Sequence, residues 1–124
     1  MITRLHHFQI TVPRDKEDAA REFYCNFLGL KEIPKPDSMK ARGGFWLDFG
    51  EMQLHVGIED APQESCRENS KVHVAYQVDD LHFWRARLEM DGIQVIESIP
   101  VPGYDRFEFR DPFRNRIEFL QSVT

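Results

Sequence analysis

The sequence predicts an α+β fold in which two βαβββ modules form a curved mixed sheet around a cavity, with the helices on the outer face. Two observations support this prediction. The order of strands and helix in the first half of the chain recurs in the second half, and the strand residues alternate between apolar and polar. We expect a single domain over residues 1–124, with modules at 4–58 and 71–121 and a linker at 59–70.

The first half contains a strand, a helix and three further strands. LHHFQITV has the alternation of a strand, and apolar residues then recur at helical spacing as far as Gly29, which ends the helix. We expect this helix to begin at Asp15. A short strand ends at Ile33, a proline-containing loop follows, and FWLDF and MQLHVGI form two strands joined by a turn at Gly50.

The second half follows the same order. KVHVAYQV is a strand, and Asp79 or Asp80 caps the helix LHFWRARLEMDG, which ends at Gly92. IQVIES is a further strand and IPVPGYD a loop. FEFRD and NRIEFLQ then form a hairpin.

Two intervals also recur between the halves. They are 26 residues from His7 to Ile33 and from His73 to Ile99, and seven residues from Asp48 to His55 and from Asp111 to Glu118. These intervals indicate duplication of one unit, the alternative being chance recurrence of common strand patterns. Duplication makes His7 equivalent to His73, and His55 equivalent to Glu118.

The four equivalent residues share one face of the predicted sheet. Apolar residues such as Ile10 and Val74 form the face that packs on the helices, so His7, His55, His73 and Glu118 point the other way. The same face carries further polar residues: Gln9, Thr11, Gln53, Gln77 and Arg116. His6 falls on the opposite face and, at the start of the strand, is expected to reach solvent or a neighbouring chain. Three imidazoles and a carboxylate predict a metal site, the alternative being a polar pocket without metal.

Charge and composition exclude other classes of function. The net charge is −5 and the basic residues are scattered, which argues against a nucleic-acid-binding surface. No apolar run has the length of a membrane span, and the N-terminus lacks the apolar core of a signal peptide. We therefore expect a cytoplasmic protein that binds neither nucleic acid nor membrane. Cys25 and Cys66 are expected to be free thiols.

Four segments resemble the vicinal oxygen chelate superfamily, also called the glyoxalase/bleomycin-resistance/dioxygenase fold. They are LHHFQITV, AAREFYCNFLGL, KVHVAYQVDDL and DPFRNRIEF, and the resemblance spans about residues 4–121. It implies a divalent metal bound by His7 of the first strand, His73 of the fifth and Glu118 of the last. It also implies a homodimer, with each site built from one chain or from two.

The chain departs from the family at several positions. Glyoxalase I enzymes have a Glu on the fourth strand, where this chain has His55, so Glu118 is the one carboxylate of the set that remains. Fosfomycin thiol transferases have a Thr where this chain has Gln9. The turn of the last hairpin usually contains a Gly, and Arg114 stands there as either a tolerated turn residue or a substrate contact.

The donor set suits Zn, Ni, Fe or Mn, one ion per site. With four protein ligands, two adjacent positions would remain for a substrate that chelates through two oxygens. The expected chemistry is that of a lyase, an isomerase or a dioxygenase, with Glu118 and His55 as the catalytic candidates. If His55 stays off the metal, it is available as a general base. The alternatives are a metal-free drug-binding protein and a fosfomycin-type thiol transferase.

The substrate, a small molecule, is expected to contact polar and aromatic residues of the same face and its rim. These candidates are Gln9, Gln53, Arg42, Trp46, Tyr104, Arg106 and Arg116. An arginine at the rim could hold an anionic group through paired hydrogen bonds. The alternative is that the rim positions are solvated charges and packed aromatic rings.

Overall fold

The computed structural model describes residues 1–60, 66 and 68–123 of the chain. The chain divides into two units, Met1–Gln63 and Glu64–Thr124, and each contains one of the predicted modules. Half of the predicted linker, residues 61–65 and 67, lies outside the described residues.

The first unit contains a four-stranded mixed sheet. Its strands are β1 (His7–Pro13), β2 (Lys31–Ile33), β3 (Phe45–Phe49) and β4 (Met52–Glu59). They lie in the order β1-β4-β3-β2, with β1 parallel to β4 and the other neighbours antiparallel. The predicted strands and the turn at Gly50 are confirmed.

The helix of the first unit is less regular than predicted. It consists of a 3-10 turn (Arg14–Lys16), α1 (Glu17–Arg21) and a π-helical segment (Glu22–Phe27). The predicted helix is therefore found at the predicted position, beginning near Asp15. It is not one regular α-helix, because its hydrogen bonding changes from 3-10 to α to π along its length. The wider π turn accompanies the burial of two successive aromatic side chains, Phe23 and Tyr24.

The proline-containing loop between β2 and β3 holds a further 3-10 helix, Asp37–Arg42, which the sequence did not predict. Two glycines with positive φ, Gly43 and Gly44, lead from it into β3. This segment leads directly into β3, the strand that contains Trp46.

The second unit repeats the topology. Its elements are β5 (His73–Gln77), α2 (Leu81–Met90), β6 (Ile96–Glu97), β7 (Tyr104–Arg110) and β8 (Arg116–Ser122). The strand order is β5-β8-β7-β6, and β5 is parallel to β8. Asp80 caps α2 by accepting a hydrogen bond from the Phe83 backbone N–H at 3.0 Å. β6 is shorter than the predicted strand IQVIES.

Each sheet has one apolar face, as the alternation predicted. The most deeply buried strand side chains are Val12, Phe45, Leu47, Leu54 and Val56 in the first unit, and Phe107, Phe109, Ile117 and Phe119 in the second. The predicted site residues that lie on strands alternate with these and so lie on the opposite face of each sheet. Cys25 and Cys66 are both free cysteines.

Strand register supports the equivalence of the two halves. His7 pairs with Gln53 and Gln9 with His55, while His73 pairs with Arg116 and Ala75 with Glu118. The two units therefore have the same register. In each, the histidine of the first strand pairs with a residue of the last strand that stands two positions before the proposed ligand.

The recurring intervals in the sequence do not mark equivalent residues. Asp48 pairs with Gln53, and the residue equivalent to Gln53 in the second unit is Arg116. Arg116 pairs with Arg110, so Arg110, and not Asp111, is equivalent to Asp48. The reason is the loop between the two strands, which is a short turn at Gly50 in the first unit and the longer turn beginning at Asp111 in the second.

A similar shift affects the other interval. In the first unit Ile33 pairs with Trp46, which pairs with His55. In the second unit Ile96 pairs with Glu108, which pairs with Glu118, so Ile96, and not Ile99, is equivalent to Ile33. The topology confirms the predicted duplication. The two recurring sequence intervals that suggested it, however, matched residues that are not equivalent in the structure.

No helix among the described residues is long and apolar enough to span a membrane.

Candidate functional site

In the first module, His55 lies between two other rings. Its imidazole stacks on that of His7 at 4.0 Å between centroids, and on Trp46 at 4.1 Å with the planes 2° apart. The ring Nε2 lies 2.8 Å from Gln53 Oε1. Four residues that the sequence assigned to the site therefore lie together.

The environment of His55 disfavours its charged form. The residue is 6% exposed, and burial, together with the nearby His7, His6 and Lys35, lowers its pKa to about 4. His55 is therefore neutral at physiological pH, and neutral imidazole is the form that binds a metal ion.

His6 does not face away from His7 as the alternation suggested. The two Nδ1 atoms are 3.0 Å apart, and the rings meet edge to face at 5.2 Å. The physical reason is that β1 begins at His7, so His6 precedes the regular strand and is not bound by its alternation.

In the second module, Glu118 is the buried centre of a charged cluster. The residue is 7% exposed, and its Oε1 lies 3.3 Å from His73 Nε2 and 3.0 Å from Arg106 Nη1. His73 Nδ1 lies 2.8 Å from the carbonyl oxygen of Lys71. A proton on Nδ1 would be donated to that carbonyl, which turns Nε2 toward the carboxylate.

Beside this cluster lies an ion pair that the sequence analysis missed. Arg116 bonds through Nε and Nη2 to the carboxylate of Glu108, and through Nη1 to Ser70 O at 2.9 Å. The hydrogen bond from Arg116 lowers the pKa of Glu108. Glu108 could have been found from its alternation with Arg106 and Arg110 in YDRFEFR, which places it on the same face.

These side chains line a cleft in the second module with a volume of about 840 Å³. Its charged and imidazole lining residues are Glu68, Lys71, His73, Glu97, Arg106, Glu108, Arg110, Arg114, Arg116 and Glu118. A cleft of this size can hold a small metabolite.

The other predicted substrate residues are Gln9, which pairs with His55 across β1 and β4, Arg42 and Tyr104. Gln9 packs against Gly57, where an added Cβ would be 2.6 Å from Gln9 Nε2. Arg42 ends the 3-10 helix and is exposed. Tyr104 lines a separate pocket of about 410 Å³ in the second module, which Arg106 also lines.

Each module contains side-chain types that bind metal ions. Two imidazoles lie face to face in the first module, and an imidazole nitrogen and a carboxylate oxygen converge in the second. Among the described residues, no group of three or more His, Cys, Asp or Glu is arranged to hold a metal. Arg106 also donates a hydrogen bond to Glu118 Oε1, the oxygen that lies near His73.

Comparison with known proteins gives one family over most of the chain. Residues 4–119 match the family model described as the Glyoxalase/Bleomycin resistance protein/Dioxygenase superfamily. The chain is 36% identical to a protein from Bacillus anthracis assigned to the glyoxalase family, with a TM-score of 0.85 over 98% of this chain and 97% of that one. No curated protein sequence matches the chain.

More distant solved structures share the fold. A lactoylglutathione lyase from Agrobacterium tumefaciens is 24% identical, with a TM-score of 0.67 over 98% of this chain and 96% of that one. TnmS3, an antibiotic binding protein from Streptomyces, is 21% identical, with a TM-score of 0.71 over 98% of each chain. The fold thus carries both an enzyme and a binding protein.

Proposed function

Because the chain belongs to the glyoxalase/bleomycin resistance protein/dioxygenase superfamily, we propose that it is a divalent-metal-dependent enzyme acting on a small oxygen-chelating metabolite. The activity would be that of a lyase, an isomerase or a dioxygenase. The observation that carries the proposal is the His73–Glu118 pair, in which a nitrogen and a buried carboxylate oxygen converge at 3.3 Å.

The proposed ligands are His7, His55, His73 and Glu118. A bound Zn, Ni, Fe or Mn ion would act as a Lewis acid toward two adjacent substrate oxygens. The remaining work falls to the chain itself: Gln53 orients His55, Lys71 O orients His73, and the cleft of the second module holds the substrate.

Two groups are proposed for proton transfer. Glu118 can accept a proton from a substrate carbon or hydroxyl once Arg106 moves aside, and His55 can do so only if it does not serve as a ligand. A pKa near 4 makes His55 a weak base at neutral pH, which favours the ligand role. We also propose a homodimer, as the family resemblance implies.

A second candidate function is binding without catalysis. The observation that favours it is the Arg106–Glu118 ion pair, since a guanidinium already supplies the positive charge that a metal would bring to this carboxylate. In such a protein the cleft would bind a small molecule without converting it; TnmS3 is described as an antibiotic binding protein. A fosfomycin-type thiol transferase is a third candidate, which Gln9 weakens.

The deciding experiment is elemental analysis of protein purified without added metal or a histidine tag. We expect about one metal ion per chain in the wild type and its loss in His73→Ala and Glu118→Ala. His82→Ala is the control, because His82 is an exposed histidine outside the proposed set. Circular dichroism checks that each variant is folded.

The result also selects the chemistry. Bound iron would call for oxygen-consumption assays with catechols, and nickel or zinc for lyase and isomerase substrates. A chain that stays empty after incubation with each metal would contradict the enzyme proposal and support the binding protein.

A further inference from the structure

Arg114 has a backbone conformation that disfavours its side chain. Its φ is +75°, and among the described residues every other positive φ belongs to a glycine. The turn imposes this angle, since Arg114 N–H donates to Asp111 O at 3.0 Å and Asp111 N–H to Asn115 O at 3.0 Å. A glycine would adopt the angle without strain, so the arginine side chain calls for a reason of its own.

Arg114 lines the cleft beside a row of residues with nitrogen-bearing side chains. His73 is in register with Arg116, and Arg116 with Arg110, across the neighbouring strands β5, β8 and β7. Residues in register share a face of the sheet, and all four line the same cleft.

Arg110 is hydrogen-bonded to two backbone carbonyls. Its guanidinium donates to Arg114 O at 2.8 Å and to Glu68 O at 3.0 Å. Burial lowers the pKa of Arg110, and the nearby positive charges of Arg114 and Arg116 lower it further. Like charges are therefore held close together at this end of the cleft.

Most carboxylates of the cleft are already paired. Glu108 bonds to Arg116, Glu118 to Arg106, and Glu97 to Arg85, which lies outside the lining. Arg114 and Lys71 add positive charge to the lining beyond those pairs. Among the described lining residues, Glu68 is the one carboxylate outside the pairs. The cleft is therefore suited to a ligand that brings negative charge.

We propose that Arg114, with Arg110 and Lys71, forms a recognition site for an anionic group of the small molecule that binds in this cleft. The group is a carboxylate or a phosphate, whose oxygens match the paired donors of a guanidinium. The inference deepens the proposed function and rests on it for the statement that this small molecule is the substrate. It does not depend on the metal.

The test is calorimetric titration at low ionic strength with two probes, inorganic phosphate and malonate. The protein is used as purified, with its metal content measured, and again after treatment with a chelator. We expect at least one probe to bind and Arg114→Gly to weaken that binding about tenfold or more. The same variant should raise the Tm by about 3–6 °C, since glycine relieves the left-handed position.

Matched variants separate charge from backbone effects. Arg114→Lys keeps the charge and the strained backbone, so it should retain part of the affinity without the rise in Tm. Arg14→Gln removes one positive charge from a residue that does not line the cleft, and should leave binding within about twofold of wild type.

Binding of phosphate alone or of malonate alone supports the site and identifies the group it takes. Absence of binding to both probes, or equal binding by wild type and Arg114→Gly, overturns the inference. If anion binding survives in the chelated protein while elemental analysis finds no metal site, the enzyme proposal fails and the anion site stands.

Discussion

At the scale of single residues, His55 shows how a sheet can hold an imidazole neutral. Stacking on His7 and Trp46 removes water from both faces of the ring, while Gln53 bonds to its edge. The charged form loses its hydration without gaining a carboxylate, which is why burial is the largest cause of the low pKa.

This environment predicts a pH-dependent stability. The folded-state pKa of His55, about 4, lies below its ordinary value of 6.5, so the unfolded chain binds a proton more readily between these values. The stabilising contribution is therefore complete above pH 6.5 and is lost as pH falls toward 4. Between pH 7 and pH 5 the free energy of unfolding of the wild type should fall by about 2 kcal/mol more than that of His55→Gln.

Urea unfolding in the presence of a chelator measures this difference, because a bound metal would stabilise the neutral ring by itself. His82→Gln, which changes an exposed histidine, should follow the wild-type profile. Parallel pH profiles for wild type and His55→Gln would show that unfolding takes up no proton at this ring, and so that folding does not lower its pKa.

Residue by residue, alternation predicted the face of each strand but not the neighbours across strands. It placed Glu118 and His73 on one face, and the structure brings them to 3.3 Å. It treated Arg106 as a rim residue, whereas Arg106 bonds to Glu118 itself. Cross-strand neighbours depend on register, and register depends on loop lengths that a strand pattern does not contain.

At the scale of elements, the entry into β3 depends on a close backbone approach at Gly44. A Cβ added there would lie 2.2 Å from the Val56 carbonyl oxygen, and the φ of +82° is left-handed. The Gly44 N–H also donates to Glu17 Oε1 at 2.7 Å, which ties the strand to α1. These contacts position the strand that carries Trp46.

We expect Gly44→Ala to lower the free energy of unfolding by about 2–4 kcal/mol, since the strained angle and the steric overlap both contribute. Gly50→Ala is the matched control, because its φ is also positive, at +70°, but nothing lies within 4 Å of the added Cβ. It should cost about 1 kcal/mol, from backbone strain alone. Equal losses in urea unfolding would mean that the approach to Val56 is relieved by a small shift.

At the scale of the whole molecule, the two units share a topology more exactly than they share a sequence. The sheets have the same strand order and the same register between their first and last strands. Residue intervals failed as a guide to this register because the units differ in the length of the last turn and also in the length of chain between their first and second strands. Element order survived because a loop can change length without changing which strands pair.

The duplication divides the proposed ligands evenly, and this division can be tested. Each unit supplies two of the four proposed ligands, and the proposal counts all four as necessary for metal binding. We expect His7→Ala in the first unit to lose metal as completely as His73→Ala in the second, because neither remaining set matches the wild-type coordination. Elemental analysis and titration with Zn²⁺ or Ni²⁺ after chelator treatment measure the loss, with His82→Ala as the control. If His7→Ala instead keeps half of the wild-type metal content or more, the unit containing His73 and Glu118 binds metal on its own, and the imidazole stack of the first unit has another role.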